Sequence, residues 1–144
     1  VKIVNEKAFY EKLKKRLGII PIKNAERACF KAANLVKNEA QRSILAGNKT
    51  GQTVTRYNPQ RTHTTSAPGE PPASDTGFLA NNITAEVVVR PLAQVYGIVR
   101  STAPYSAHLE FGTQRMAARP FLQPALNKNA RKIQRIFERE GILS

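Results

Sequence analysis

The stretch YSAHLEFGTQRMAARPFLQPAL, residues 105–126, gathers much of the chain's chemical capacity: His108 (one of two histidines), Glu110, Tyr105, Arg115 and Arg119. His108 and Glu110 stand as H-x-E, the spacing with which zinc deaminases place a metal ligand beside a general acid–base; that chemistry also requires a P-C-x-x-C to hold the metal. Cys29 is the only cysteine, and His63 is far from His108 in sequence with no HExxH or paired-histidine spacing, so a zinc site has no support. GNKTGQT, residues 47–53, lacks the order G-x-x-x-x-G-K-[ST] and follows a helical pattern where a phosphate loop follows a strand. Paired acids for glycoside chemistry would come from Glu70, Asp75, Glu86 and Glu110, whose spacing selects no pair. No nucleophile elbow surrounds a serine. The expectation is a chain that is not an enzyme and uses no metal or cofactor.

Charge is the next signal. With 23 Lys and Arg against 10 Asp and Glu, the 144 residues carry a formal charge of +13, a field that attracts nucleic acid, acidic proteins or anionic lipid. Residues 41–69 hold no acid but include Arg42, Lys49, Arg56 and Arg61; residues 111–137 hold none but include Arg115, Arg119, Lys128, Arg131, Lys132 and Arg135. The absence of tryptophan and an aromatic share of 7% argue against a stacking platform for single strands. A single cysteine fits a reducing compartment and rules out a disulfide framework. No long apolar run or signal-like N-terminus is present, so neither a membrane span nor secretion is expected.

The elements that must position these residues read as one α+β domain, 1–144. Residues 1–23 give a short amphipathic helix over 5–18, with Phe9, Leu13 and Leu17 in register, then an extended segment 19–22 around Pro21. Residues 24–46 give a long helix of about 34 Å, capped by Asn24 and ended by Gly47, whose face of Ala25, Ala28, Cys29, Ala32, Val36, Ala40 and Ile44 admits close approach. Cys29 reads as a small buried hydrophobe. The long extended loop 47–75 has no periodicity beyond a short strand at TVTRY; a loop of this length is an arm or a linker.

Residues 76–117 supply an antiparallel hairpin over about 82–101, alternating Ile83, Ala85, Val87 and Val89 and turning at Pro91-Leu92, then a short helix from Pro104 to Gly112. Residues 118–144 form a C-terminal helix from Pro120 or Pro124, with an apolar stripe of Leu122, Leu126, Ala130, Ile133 and Phe137. The two long helices are expected to pack on the small antiparallel sheet.

Three segments in order carry a family likeness: GEPPASDTGFLANNI (69–83), APYSAHLEFGT (103–113) and ARPFLQPAL (118–126). Over roughly residues 24–140 the chain resembles the tail-completion proteins of long-tailed bacteriophages, also known as head–tail joining or minor tail components. Thr76, Gly77 and Leu79 match the family's TG-x-L segment. Tyr105, Glu110, Phe111, Gly112 and Thr113 match its YA…EFGT element, and Arg119, Pro120, Phe121, Pro124 and Ala125 its RPF-x-P-A. The basic loop 47–68 departs from the pattern. The resemblance implies a non-catalytic subunit of a homo-oligomeric ring, six-membered, in the virion neck. Such a ring is assembled in the host bacterial cytoplasm, joins the head connector to the tail, touches adjacent neck, tail-tube or terminator proteins, and surrounds the DNA channel.

On this reading Tyr105, Glu110, Phe111, Gly112, Thr113, Arg119, Pro120 and Phe121 form a structural corner at a subunit interface. Phe111 and Phe121 serve as its anchors, and Glu110 is free to pair with Arg119 across that corner or across a subunit boundary. Lys49, Arg56, Arg61, Lys128, Arg131, Lys132 and Arg135 are candidate contacts to DNA or acidic partners. The alternatives are a tail terminator and a non-specific DNA-binding protein acting by charge alone.

Overall fold

The computed structural model describes residues 21–47 and 49–143, and over them helices and two antiparallel hairpins build an α+β fold with a long helix near each end. The expected helix over 5–18 lies outside the described residues.

Helix α1, Ile22–Ala46, starts one turn earlier than Asn24 suggests. Pro21 supplies the first carbonyl, accepting from the N–H of Asn24 at 2.8 Å and of Ala25 at 3.3 Å. Of the segment 19–22 expected to be extended, Pro21 is extended and Ile22 is already helical, while residues 19 and 20 lie outside the described residues. Asn24 is thus inside the first turn, and its side-chain amide donates to the carbonyl oxygen of Glu140 at 3.1 Å instead of capping its own helix. The small stripe behaves as its composition dictates: Ala28, Cys29, Ala32, Ala33, Val36, Ala40 and Ile44 are buried, and α1 packs against both strands of the second hairpin and against the last helix.

Strands β1, Thr53–Tyr57, and β2, Gln60–Thr64, pair antiparallel, so the segment expected to be irregular beyond TVTRY is half a hairpin. Its residues are almost all exposed, which removes the burial alternation by which a strand shows itself in sequence. A single turn of helix, α2 (Phe78–Asn81), leads into β3, Ile83–Arg90, which pairs antiparallel with β4, Gln94–Ser101. The turn is Pro91-Leu92-Ala93, with Leu92 and Ala93 both at positive φ. Gly97 of β4 lies against α1: a Cβ there would stand 2.9 Å from the carbonyl oxygen of Cys29.

Helix α3, Ser106–Phe111, and helix α4, Leu122–Arg139, complete the chain. Helix α4 runs antiparallel to α1, pinned near one end by Lys128 on Glu39 and at the other by Glu140, which takes Arg27 at 3.3 Å and Lys31 at 2.5 Å. Its inward face is Ala125 and Asn129, flanked by half-buried Leu122, Ile133 and Ile136. Leu126 and Ala130, placed in the stripe by their spacing, are exposed instead. Alanine suits close contact better than leucine, and the Asn129 amide is satisfied by its own helix, donating to Ala125 O at 2.9 Å. The core joins Val36, Ala40 and Ile44 to Leu79, Ala80, Ile83, Ala103, Phe121 and Ala125. Full burial of a side chain such as Phe121 or Ile44 contributes about 1.5–3 kcal/mol.

Candidate functional site

The corner formed by residues 105–121 is built around the start of α4. That helix has no serine, threonine, aspartate or asparagine in front of it and no side-chain cap of its own, so its first N–H groups need an acceptor from elsewhere. Glu110 provides it. One carboxylate oxygen accepts from the N–H of Phe121 at 2.8 Å and of Leu122 at 3.0 Å; the other accepts from Gln123 at 2.8 Å. The next residue, Pro124, has no N–H to satisfy. A full negative charge at a helix N-terminus also meets the positive end of the helix dipole.

The rest of the corner holds Glu110 at that point. Gly112 ends α3 by donating to His108 O at 2.9 Å, and adopts φ 75° and ψ 179°, a region open essentially to glycine alone. A Cβ there would lie 2.9 Å from Met116 O and Ala118 N. Thr113 and Met116 close a tight loop through paired backbone bonds, and Arg119 N donates to Leu109 O at 2.6 Å. Phe121 is 1% exposed and is an anchor as expected. Pro120 precedes it, half-buried.

Two expectations for this corner are corrected. Within the chain Glu110 does not pair with Arg119, because its two oxygens hold the backbone of α4. Phe111 does not anchor the corner within its own chain: it is 82% exposed. The missing cap before α4 was the signal in the sequence that an acid had to reach it from another element. His108, two residues from Glu110, is exposed, so the H-x-E pair is divided between a solvent-facing imidazole and a structural carboxylate.

Phe111 borders an open groove of about 630 Å³ between α1, β4, α3 and α4, lined by Ala32, Val99, Leu126, Ile133 and Phe137 among others. Cys29, itself buried, lies in the groove wall with Gly97. Burial pushes its thiol pKa up, opposed more weakly by the backbone N–H of Gly97. This face is mainly apolar, with Arg100, Glu110 and Gln123 among its polar lining residues.

The basic residues divide into three groups. Lys49 is a structural residue: its Nζ donates to Ile44 O at 2.7 Å and to Pro72 O at 3.1 Å, tying the end of α1 to the loop before α2. Burial lowers its pKa, with Glu70 acting the other way. Arg56 and Arg61, opposite each other in the β1–β2 register, converge on the carboxylate of Asp75 at 3.2 and 3.0 Å. That clamp fixes the arm to its own body. On α4, Lys128 is paired with Glu39, whereas Arg131, Lys132 and Arg135 are exposed and, among the described residues, meet no carboxylate within ion-pair distance.

Among the described residues no group of three or more histidine, cysteine, aspartate or glutamate side chains could hold a metal ion, and no described helix is long and apolar enough to cross a membrane. No family model, curated protein or solved structure matches the chain.

Proposed function

We propose that this chain is a structural ring subunit of a bacteriophage neck, joining head connector to tail around the DNA channel. The observation that carries the reading is the corner itself: residues of the second and third family-like motifs build it, and it leaves Phe111 82% exposed beside an apolar groove. A protruding aromatic beside an apolar groove supports contact with another protein surface, and a ring closes when that surface is a different patch of the next copy. The partners are further copies of the chain and adjacent neck or tail proteins. A tail-terminator ring would use the same contact.

Native mass spectrometry of the purified chain, with and without a short duplex DNA, tests this. A closed multiple near six that forms without DNA, and is lost in Phe111→Ser while the variant keeps its fold by circular dichroism, is the expected result. A monomer that gains mass only with DNA would replace it with the charge-driven binder, a reading favoured by the exposed Arg131, Lys132 and Arg135. Binding of that kind would weaken steeply with salt.

A further inference from the structure

On the other side of the corner is a polar recess of about 250 Å³, whose walls include Arg119, His63, Ser66, Ser74, Asp75 and Thr76. Arg119 is the anomaly there. Among the described residues its Nε is shielded from solvent and has no hydrogen-bond partner, and its guanidinium enters no ion pair. The acids along this part of the chain are already engaged. Asp75 holds Arg56 and Arg61. Glu70 accepts from the hydroxyl and N–H of Thr50 and from the N–H of Ala67, and Glu110 caps α4. A shielded donor without an acceptor is costly, and the carboxylate that shares the recess with Arg119, Asp75, is already held by two other guanidinium groups.

We propose that this recess receives a carboxylate side chain from a neighbouring protein chain, held by Arg119. Only the origin of that carboxylate rests on the assembly reading; the site itself does not. With Nε shielded, an incoming carboxylate meets the two terminal nitrogens of the guanidinium, whose N–H groups present a fork that matches it. The hydroxyls of Ser74 and Thr76 accept from the N–H of Gly77 and Phe78, which leaves each O–H free to donate to an incoming oxygen. The volume lies below the roughly 300–1,000 Å³ usual for small-molecule sites, so it suits the tip of a side chain better than a nucleotide. Asp75 in the same wall opposes a phosphate, at nearly two negative charges, more than a singly charged carboxylate. Phe78 and Tyr105, whose ring centroids are 6.2 Å apart, also line the recess and are partly exposed. They offer apolar contact to the stem of the entering side chain.

The test uses the full chain labelled with ¹⁵N. The Nε–Hε resonance of Arg119, assigned by its loss in Arg119→Lys, is followed while acetate, and separately inorganic phosphate, replaces chloride at constant ionic strength. The expected result is a saturating shift with acetate, several-fold larger than that of the exposed Arg131 and Arg135 resonances, and needing several-fold more acetate in Thr76→Val. A shift no larger than those two references overturns the proposal, as does tighter saturation by phosphate than by acetate. Because the titration requires no assembly, its failure is distinct from failure to form a ring, which native mass reports separately.

Discussion

The carboxylate of Glu110 accepts the backbone N–H of Phe121 at 2.8 Å, and with Leu122 and Gln123 it takes up the free donors at the start of α4. The side chain of Phe121 is at the same time buried in the core. One residue therefore ties the solvent-facing corner to the packing of two helices.

Glu110→Ala leaves three N–H groups without an acceptor at a partly buried helix start. It is expected to destabilise the fold by about 2–3 kcal/mol, since bonds to a charged acceptor are the stronger kind. Glu110→Gln keeps one acceptor oxygen but not the charge and should cost about half as much. Urea titrations of the three proteins check the order; equal stability of wild type and Glu110→Ala would remove the capping role.

Gly112→Val combines a positive φ with a Cβ set 2.9 Å from two backbone atoms. Neither atom belongs to a flexible side chain, so the loop 112–118 must move, at an expected cost above about 3 kcal/mol. Thermal unfolding measures it, and assembly should be lost with the fold. Gly112→Val with a wild-type melting temperature would contradict this geometry.

The basic residues should separate by experiment. Lys49→Ser removes both bonds to Ile44 O and Pro72 O and is expected to cost about 1–2 kcal/mol. Changing Arg131, Lys132 and Arg135 together to Ser touches exposed side chains only, and each change should stay within about 0.5 kcal/mol. Combining Lys49, Arg56 and Arg61 in one serine variant would confuse a loss of charge with a loss of structure. Denaturant midpoints for the single and triple variants check the separation.

Acid should loosen the molecule at Glu39, which Lys128 holds below its ordinary value, and at two further carboxylates. The Thr50 hydroxyl and the N–H groups of Thr50 and Ala67 hold Glu70 below its ordinary value of 4.5, and Lys31, followed by Arg27, does the same for Glu140. In the unfolded chain all three carboxylates take up protons near that ordinary value; in the folded chain only at lower pH. The unfolded state thus binds more protons in the interval, so this stabilisation is complete above about pH 5 and is lost as pH falls through the depressed folded values. Melting temperatures between pH 6 and pH 3 should drop less steeply for Glu70→Gln with Glu140→Gln than for wild type.

The elements that declared themselves in sequence were those with one buried face. The alanine stripe of α1 and the alternation of β3 and β4 both show, because burial imposes a period of 3.6 or 2. The β1–β2 hairpin left no such trace, since both of its faces are exposed and an ion-pair clamp on Asp75 holds it. Leu126 misled for the converse reason: it is apolar and correctly spaced, but it borders a groove that the chain does not fill. At the corner, the motif residues were legible and their pairings were not. Glu110 and Phe121 are eleven residues apart, and an acid at that distance shows no register with a helix start. Arg119 offered an obvious partner of opposite charge, yet three backbone donors in a ready cluster hold the carboxylate instead.

The groove can be watched through Cys29. Cys29 is 6% exposed and its thiol pKa is raised by burial, so at pH 8 it should react with a disulfide reagent far more slowly than a free thiol, through local opening of the α1–β4 contact. If neighbouring copies cover this face, the rate in the assembled state should fall by about a further tenfold, as assembly adds to the cost of opening. The comparison needs wild type above and below its assembly concentration, with Phe111→Ser as the unassembled control at both. Equal rates for wild type in the two states would show that the groove stays open in the assembly, and would move the contact to another face. A slower rate in assembled wild type, absent from Phe111→Ser, would put Phe111 and the groove in the same interface.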